Sequence, residues 1–501
     1  MTARLAIVGD ALLDRDVEGD VRRLAPDAPV PVVDQQGVVV RPGGAGLAAV
    51  LSARGGHAVR LVTALAQDAA GAELRGALAD AGVEIADVGL HGATPEKIRV
   101  RAQGRALLRL DRGGDGGAVG AATAAARAAI AWADAILVAD YGRGVAAEPG
   151  IREALQRAIT GGVPGVWDPH PRGPAPVEGA ALVTPNAGEA RAFAEALAAP
   201  GRGVAASSAL AAAAEAAEAL REHWGAGAVC VTRGADGALL VRADGGAPLV
   251  VPAAPVPVGD PCGAGDRFAS RAAEVLASGA PVAEAVSAAV AAASAFVAAG
   301  GASAIGTSHM NGDTARNDFA TSAHRSQSPA LKGSDPLVGR GAGDLSVVGA
   351  RGLTPVVERV RAEGGTVVAT GGCFDLLHPG HVHTLQAARA LGDCLVVCLN
   401  SDASVRRLKG PRRPVQRQHD RAAVLAALGC VDAVVTFDED TPVEVLRTIR
   451  PDIWVKGGDY AVADLPEAAV LAGWGGRAVV LPFVEGRSTT RLIEEASLHA
   501  V

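Results

Sequence analysis

The sequence predicts an α/β protein made of two consecutive units: a larger doubly wound sheet domain with an accessory β element, then a smaller Rossmann-like nucleotide-binding unit. Three observations predict it. Short apolar β-type runs alternate with Ala-rich helical stretches along the chain, as in a sheet covered by helices on both faces. That alternation breaks between residues 300 and 349, where Ser, Gly, Asp, Asn and Thr replace apolar periodicity, the composition of a linker. The 501 residues leave enough chain on either side of the break to bury a real core.

In order, Ala6–Val8, Ala135–Val138, Val166–Trp167, Ala181–Val183 and Val229–Val231 read as buried strands, and Ala121–Trp132, Gly150–Ile159 and Leu210–His223 as helices. Val30–Val40 is β-rich but follows Pro26, Pro29 and Pro31, so it reads as an edge or accessory strand outside the main sheet. After the break come strand Thr366–Thr370, helix Gly380–Leu391, strand Cys394–Leu399, helix Arg421–Leu428, strand Ala433–Thr436, helix Pro442–Ile449 and strand Ile453–Val455. This periodicity predicts the Rossmann-like unit. The expected domains are 1–305 and 346–501, joined by a flexible linker over 306–345.

Composition narrows the function. With 49% hydrophobic and 20% charged residues the chain is not globally disordered. A net charge of −7 argues against a broad grip on nucleic acid or an anionic membrane, but not against small phosphorylated ligands. Ala285–Ala299 is too short and weakly apolar to span a bilayer and reads as a buried helix. No secretory signal opens the chain, and none of the six cysteines forms a CxxC pair. Buried free thiols in a reducing cytoplasm are the expectation. Of 47 basic residues only Lys97, Lys332, Lys409 and Lys456 are lysines. A lysine retained in so Arg-biased a chain is a candidate for a role that Arg cannot fill.

No lysine is preceded by Gly and followed by Ser or Thr, so a Walker A loop is excluded and ATP must be held another way. HExxH and GxSxG signatures at the required positions are absent too. The first informative cluster is Gly259-Asp260-Pro261-Cys262-Gly263-Ala264-Gly265-Asp266, followed by an Ala-rich helix. Small residues admit a phosphate close to the backbone, and a helix N-terminus favours negative charge. An Asp there can take a proton from a substrate hydroxyl during phosphoryl transfer. A plain Gly-rich turn with an Asp cap explains the cluster equally well on its own. It is accompanied by Gly9-Asp10 and Asp14, by Pro42-Gly43-Gly44 before a helix, and by Thr184-Pro185-Asn186 with Glu189, oxygen ligands suited to a phosphate-bound Mg²⁺.

With these motifs residues 1–305 resemble the ribokinase-like sugar kinases of the phosphofructokinase-B type. Asp27-Ala28-Pro29-Val30-Pro31-Val32-Val33 and Leu108-Arg109-Leu110-Asp111 further resemble the kinase half of the bifunctional heptose-7-phosphate kinase/heptose-1-phosphate adenylyltransferases. The resemblance implies a ribokinase-like domain with a β lid and Asp266 as catalytic base. It implies an anion hole at Gly263, Ala264, Gly265 and Asp266, a sugar pocket at Asp10, Asp14, Gly43 and Gly44, and Mg²⁺ at Asn186 and Glu189. Departures are Leu47 in place of a usual Asn, Cys262 and Arg267 in place of Thr, Arg271 in place of a small residue, and Arg143 and His170–Arg172 where lysines are usual.

The second cluster, Thr370-Gly371-Gly372-Cys373-Phe374-Asp375-Leu376-Leu377-His378-Pro379-Gly380-His381, runs from a strand into a helix. Histidines at i and i+3 near a helix start point the same way and can donate to one phosphate. A zinc pair is disfavoured because no further ligand set has metal spacing. Asn400-Ser401-Asp402 follows the next strand, Lys409-Gly410 and Lys456-Gly457-Gly458-Asp459-Tyr460 carry scarce lysines, and Arg487-Ser488-Thr489-Thr490 precedes a final helix. Each lysine taken alone is equally compatible with a solvated surface residue. Residues 345–501 resemble the adenylyltransferase half of the same bifunctional family, with Gly371 where Asn is usual. The resemblance makes His378, His381, Lys409 and Lys456 catalytic. Phe374, Asp375, Gly380, Asn400, Asp402, Gly457, Asp459, Ser488, Thr489 and Thr490 become nucleotide- or phosphate-binding.

The expected chemistry is phosphorylation of a heptose 7-phosphate at C1 and transfer of AMP from ATP to a heptose 1-phosphate. A separate phosphatase must act between the steps, because the kinase product keeps a 7-phosphate that the transferase substrate lacks. Pairing of two chains through the accessory sheet is expected from the resemblance. Three rivals stand beside this reading: activity in the C-terminal half alone, a cytidylyltransferase for a polyol phosphate, and a non-catalytic nucleotide-binding regulator.

Overall fold

The computed structural model describes residues 2–102, 105–113, 117–197, 209–256, 260–305, 307–310, 313–315, 354–457 and 466–482. The chain clusters into two compact units, Met1–Arg202 with Glu215–Ala243 and Val251–Phe319, and Gly203–Ala214 with Asp244–Val250 and Ala320–Val501.

In the first unit the central sheet runs Ala238–Arg242, Ala228–Thr232, Leu182–Val183, Gly165–Asp168, Ala135–Ala139, Arg4–Gly9, Ala58–Thr63, Glu84–Asp87. All neighbours are parallel except the first pair. Its inner strands are uninterrupted apolar runs, Leu5–Val8 and Ala135–Ala139 being fully buried, because helices cover both faces. The five strands expected from apolar runs are all present, and helices Ala124–Trp132, Pro149–Thr160 and Ala209–Trp224 fall where Ala-rich periodicity placed them.

A second sheet forms the lid, ordered Asp313–Ala315, Thr307–Met310, Pro31–Gly44, Ala11–Leu24, Glu96–Ala102, Arg105–Arg112. Pro31–Gly44 is accessory, as expected, but it is not an edge. Ala11–Leu24 pairs on one side and Thr307–Met310 on the other. Pro26 and Pro29 precede it and Pro31 is its first residue, where a missing N–H is tolerated. Two lid strands also occupy the start of the stretch read as linker from residue 306; their Ser and Thr content hid them. Ala11–Leu24 escaped sequence reading because charges interrupt it. Its Asp14 and Asp16 share one face with Lys97, Arg99 and Arg101 of the adjoining strand, and in register Asp14 faces Arg41 and Lys97.

In the second unit a parallel sheet runs Ala433–Phe437, Cys394–Asn400, Val367–Gly372, Ile453–Gly457, Arg477–Leu481. Val367, Val396, Val435, Leu446 and Trp454 form its core with helices Thr354–Ala362, Val443–Ile449 and Pro466–Ala472. The switch in strand order falls between Val367–Gly372 and its two neighbours. A crevice at the carboxyl ends of such strands is where α/β sheets bind ligands. All six cysteines are free thiols. Among the described residues no helix is long and apolar enough to cross a membrane.

Candidate active sites

In the first unit, Gly263 takes φ 81° and caps helix Ala264–Leu276. The first turn leaves the Gly265 and Asp266 N–H groups without an intrahelical acceptor, at the positive end of the helix. They border a cavity of about 210 Å³ lined also by Tyr141, Asp168, Asn186 and Glu189. Asp266 is 7% exposed. Tyr141 Oη donates to its Oδ1 at 2.6 Å. Burial pushes the Asp266 carboxyl up to about 7, against the pull of the Tyr141 hydrogen bond and the Lys97 ammonium. A carboxylate titrating there suits a general base working near neutrality. Burial also raises Asp140 to about 7. Asp168 is raised by burial, then by the neighbouring charges of Asp266 and Glu189. So many carboxylates around one cavity suit a ligand that arrives with a divalent cation.

Asn186 and Glu189 form a reciprocal capping box at the start of helix Ala187–Leu197. Asn186 Oδ1 accepts from Gly188 N at 2.9 Å and Glu189 N at 3.0 Å, and Glu189 Oε2 accepts from Asn186 N at 2.9 Å. Asn186 therefore acts directly as a cap. Glu189 also lines the cavity, half-buried, with burial holding its carboxyl above the ordinary range, and a carboxylate so placed fits a magnesium ion carried by phosphates. Such an ion keeps several waters and needs few protein oxygens.

The residues read as the sugar pocket divide. Asp10 is buried and its carboxylate accepts from Tyr141 N at 3.0 Å, Arg143 N at 3.0 Å and Val145 N at 3.1 Å. What Asp10 holds directly is the 141–145 turn. Asp14 Oδ1 accepts from Arg99 Nη1 at 2.8 Å. Gly43 is needed beside it, since a Cβ there would lie 2.6 Å from Asp14 Oδ2. Gly44 takes φ 59° as it opens helix Ala45–Arg54.

The unusual residues prove to be matched to one another. Leu47 packs with Leu51, Ala302, Cys262, Phe296 and Ile305, so Leu47 and Cys262 share one apolar cluster. Arg267 Nη1 and Arg271 Nη1 each donate to the buried Glu274 at 3.1 Å, and Ser52 Oγ does likewise at 3.1 Å. These arginines brace the back of the catalytic helix; neither lines the cavity.

In the second unit the turn after strand Val367–Gly372 is strained, with Phe374 at φ 44° and Leu376 at φ 57°; left-handed non-glycine residues concentrate at functional turns. It delivers His378 and His381 to the start of helix Pro379–Arg389, where the rings stack with centroids 3.9 Å apart. Gly380, which lies between them in sequence, is buried, and Phe374 packs on His381 at 5.4 Å. Burial, then the His378 charge, pulls His381 down to about 4. At neutral pH that ring is neutral in the free protein, with one N–H able to donate.

Asp375, read as nucleotide-binding, is instead buried and spent on the chain. Its Oδ1 accepts from Val415 N and Gln416 N at 3.0 Å, and Arg413 Nε lies 2.8 Å from Oδ2. It clamps the loop after Lys409-Gly410 to the histidine turn. Asn400 Nδ2 likewise donates to Ser404 Oγ at 3.0 Å, and Asp402 Oδ1 accepts from Arg421 Nη2 at 2.8 Å. Lys409 ends helix Asp402–Lys409 and is exposed, close enough to lower the Cys373 thiol in part. Lys456 Nζ is 3.5 Å from the buried Glu467. Next to it, a Cβ on Gly457 would lie 3.5 Å from Thr384, one turn beyond His381. His378 and His381 thus follow the carboxyl end of strand Val367–Gly372, Lys456 lies near the carboxyl end of its neighbour Ile453–Gly457, and Lys409 lies near Cys373 of the histidine turn. Asp459, Ser488, Thr489 and Thr490 lie outside the described residues.

Sequence reasoning missed Arg421. It is 1% exposed. It donates to Gln416 O at 3.0 Å, Cys373 O at 2.5 Å, Asn400 O at 2.9 Å and Asp402, tying the histidine turn to two neighbouring loops. Sequence offered no signal beyond an Arg on the apolar side of a helix.

A base at a helix N-terminus under a lid, joined to a paired-histidine turn on a second parallel sheet, defines a sugar kinase fused to a nucleotidyltransferase. Residues 2–308 match the pfkB family of carbohydrate kinases and residues 369–494 the cytidylyltransferase-like family. The chain is 52% identical to bifunctional protein HldE of Streptomyces coelicolor over 98% of this chain and 96% of that one. It is 38% identical to bifunctional protein HldE of Caulobacter vibrioides over 97% and 95%. A solved Arabidopsis thaliana ribokinase complexed with ribose and ATP is 22% identical with TM-score 0.47, covering 60% of this chain and 95% of that one. The chain belongs to the bifunctional HldE family and is a bifunctional transferase that uses ATP.

Proposed function

We propose that this chain carries out two ATP-dependent steps of ADP-heptose synthesis, divided between domains 1–305 and 346–501. The observation that carries the reading is the coexistence, in one chain, of Asp266 beside a helix N-terminus and of His378 and His381 stacked at a sheet's carboxyl end.

In the kinase step Asp266 takes the proton of the C1 hydroxyl of a heptose 7-phosphate. The sugar oxygen bonds to the γ-phosphorus, the bond to the β-phosphate oxygen breaks, and ADP leaves. The Gly265 and Asp266 N–H groups hold the charge that spreads over the transferred group. A magnesium ion beside Glu189 would neutralise phosphate charge. In the transferase step an oxygen of heptose 1-phosphate bonds to the α-phosphorus of ATP and pyrophosphate leaves. That nucleophile is already an anion, so positioning and charge stabilisation suffice. His378 and His381 donate to the α-phosphate, and Lys409 and Lys456 add positive charge. Ser488, Thr489 and Thr490, with Asp459, are assigned to pyrophosphate and nucleotide.

Activity in the C-terminal half alone is not favoured, since Leu47, Cys262 and Arg267 are packed or paired without entering the cavity. A cytidylyltransferase or a non-catalytic regulator is likewise not favoured. A cytoplasmic setting, a separate phosphatase and pairing of two chains complete the proposal. Full-length protein should release ADP from ATP with heptose 7-phosphate, and pyrophosphate from ATP, not CTP, with heptose 1-phosphate. Absence of either product would remove the corresponding step.

A further inference from the structure

The catalytic carboxylate of the first unit already has a hydrogen-bond partner within the same unit. Tyr141 Oη donates to Asp266 Oδ1 at 2.6 Å, the length of a charge-assisted O–H···O bond. We propose that Tyr141 is a positioning residue for phosphoryl transfer: by holding Asp266 through Oδ1 it fixes the carboxylate and turns Oδ2 toward the sugar hydroxyl. The inference rests on the kinase reading above.

Tyr141 is itself held from three sides. Its N–H donates to Asp10 at 3.0 Å, in a turn whose next amides fill the rest of that carboxylate. Its ring lies against Gly44, where a Cβ would come within 3.2 Å of two ring carbons. The Lys97 ammonium sits 5.2 Å above the ring, a cation–π contact that ties the lid strand to the base. A donor so constrained fixes the rotamer of whatever accepts from it.

The helix carrying Asp266 packs against Ala45–Arg54, Val282–Ala298, Ala135–Ala139 and Gly165–Asp168. The groups acting electrostatically on Asp266 and Tyr141 are Lys97 and Asp14 from the lid and Asp168 from the sheet. Burial and the adjacent Asp266 charge hold the Tyr141 phenol well above its ordinary range. It therefore stays a donor throughout turnover. The substrate proton passes to Asp266 Oδ2 as the sugar oxygen joins the γ-phosphorus and ADP departs, and the Tyr141 proton does not transfer.

Removing the hydroxyl takes away a bond that favours the charged carboxylate. In full-length Tyr141→Phe, the acid limb of the kinase kcat profile should move up by about one pH unit. Turnover should fall about tenfold or more at pH about 6.5 and, because the carboxylate is no longer held, plateau about threefold or more below wild type at pH about 8.5, while KM for heptose 7-phosphate changes by less than about threefold. The adenylyltransferase rate of the same sample reports on folding. An unmoved limb, or a raised KM with kcat kept, overturns the proposal. A second measurement needs no variant at position 141. The chain has only two tyrosines, Tyr141 and Tyr460, so uniform 3-fluorotyrosine labelling gives two ¹⁹F resonances that Tyr460→Phe assigns. The Tyr141 resonance should titrate with the Asp266 midpoint and lose that titration in Asp266→Asn. A flat resonance overturns the pairing. A coupled titration in a protein that makes no ADP with the sugar phosphate counts against the kinase reading instead.

Discussion

Truncating Arg421 is the sharpest test of how the adenylyltransferase site is built. Its side chain is fully buried, and its guanidinium makes four hydrogen bonds, three to backbone carbonyls and one to the Asp402 carboxylate. Arg421→Met keeps most of the apolar stem and removes every donor. All four bonds have the charged guanidinium as donor, at about 1.5 kcal/mol or more each, so the loss sums to about 6 kcal/mol before relaxation. Breaking one side of a buried ion pair independently costs about 3–5 kcal/mol. A destabilisation of about 4 kcal/mol should lower the thermal midpoint of this unit by about 10 °C or more. The assay is parallel thermal inactivation of both activities in the full-length chain. Pyrophosphate release should fail about 10 °C early while ADP release keeps its midpoint. Below that midpoint, kcat for nucleotidyl transfer should drop about tenfold or more, because the turn carrying His378 loses its tie at Cys373. Arg421→Lys should recover little, since an ammonium cannot reproduce the fork. Inactivation midpoints that coincide with wild type, with kcat unchanged, would refute the reasoning.

The other predictions concern single residues. Asp266→Asn should reduce kinase turnover by about 10³-fold, within the range of a lost general base, and leave nucleotidyl transfer intact; initial rates of ADP and pyrophosphate release check it. In the wild type, kinase rate should fall as pH drops below about 7, where burial places the Asp266 carboxyl; a profile flat to pH about 5 would exclude it as the base. His381→Ala should slow nucleotidyl transfer by about 10²-fold or more, the scale of one lost transition-state donor, and near-normal pyrophosphate release would refute that role. His381 is held down to about 4 in the folded state, so the unfolded chain binds the extra proton first. The second unit should lose stability as pH falls from about 6.5 toward 4, readable by urea titration. Gly371→Asn, although it supplies the residue more usual there, should destabilise, because its Cβ would come 2.6 Å from Trp454 Cη2. A smaller residue at 454 should restore part of the loss in the double variant, measured by thermal inactivation.

Much of the architecture was legible locally. Runs such as Leu5–Val8 and Cys394–Leu399 are strands because both faces of their sheets are buried, and burial on both faces leaves an uninterrupted apolar signature. The Gly263–Asp266 and His378–His381 motifs were legible because each is contiguous and sits at a strand–helix or loop–helix junction, where local geometry is all that the chemistry needs. The lid was only half legible. Ala11–Leu24 and Thr307–Met310 carry charges and hydroxyls that look like loop until register sets Asp14 against Arg41 and Lys97.

By itself the sequence determined two α/β units, a Gly-rich helix N-terminus carrying an Asp and a histidine pair at a second helix start, since these depend on periodicity and spacing within a few residues. Only the tertiary structure decided that Asp10 and Asp375 hold backbone amides, that Arg267 and Arg271 serve Glu274, that Tyr141 donates to Asp266, and that Arg421 binds three segments together. Those roles rest on partners up to 130 residues and more away, as with Asp10 and Tyr141 at a separation of 131. A polar side chain's use is set by whichever donor or acceptor folding brings within about 3 Å of it, and no local pattern encodes that distance.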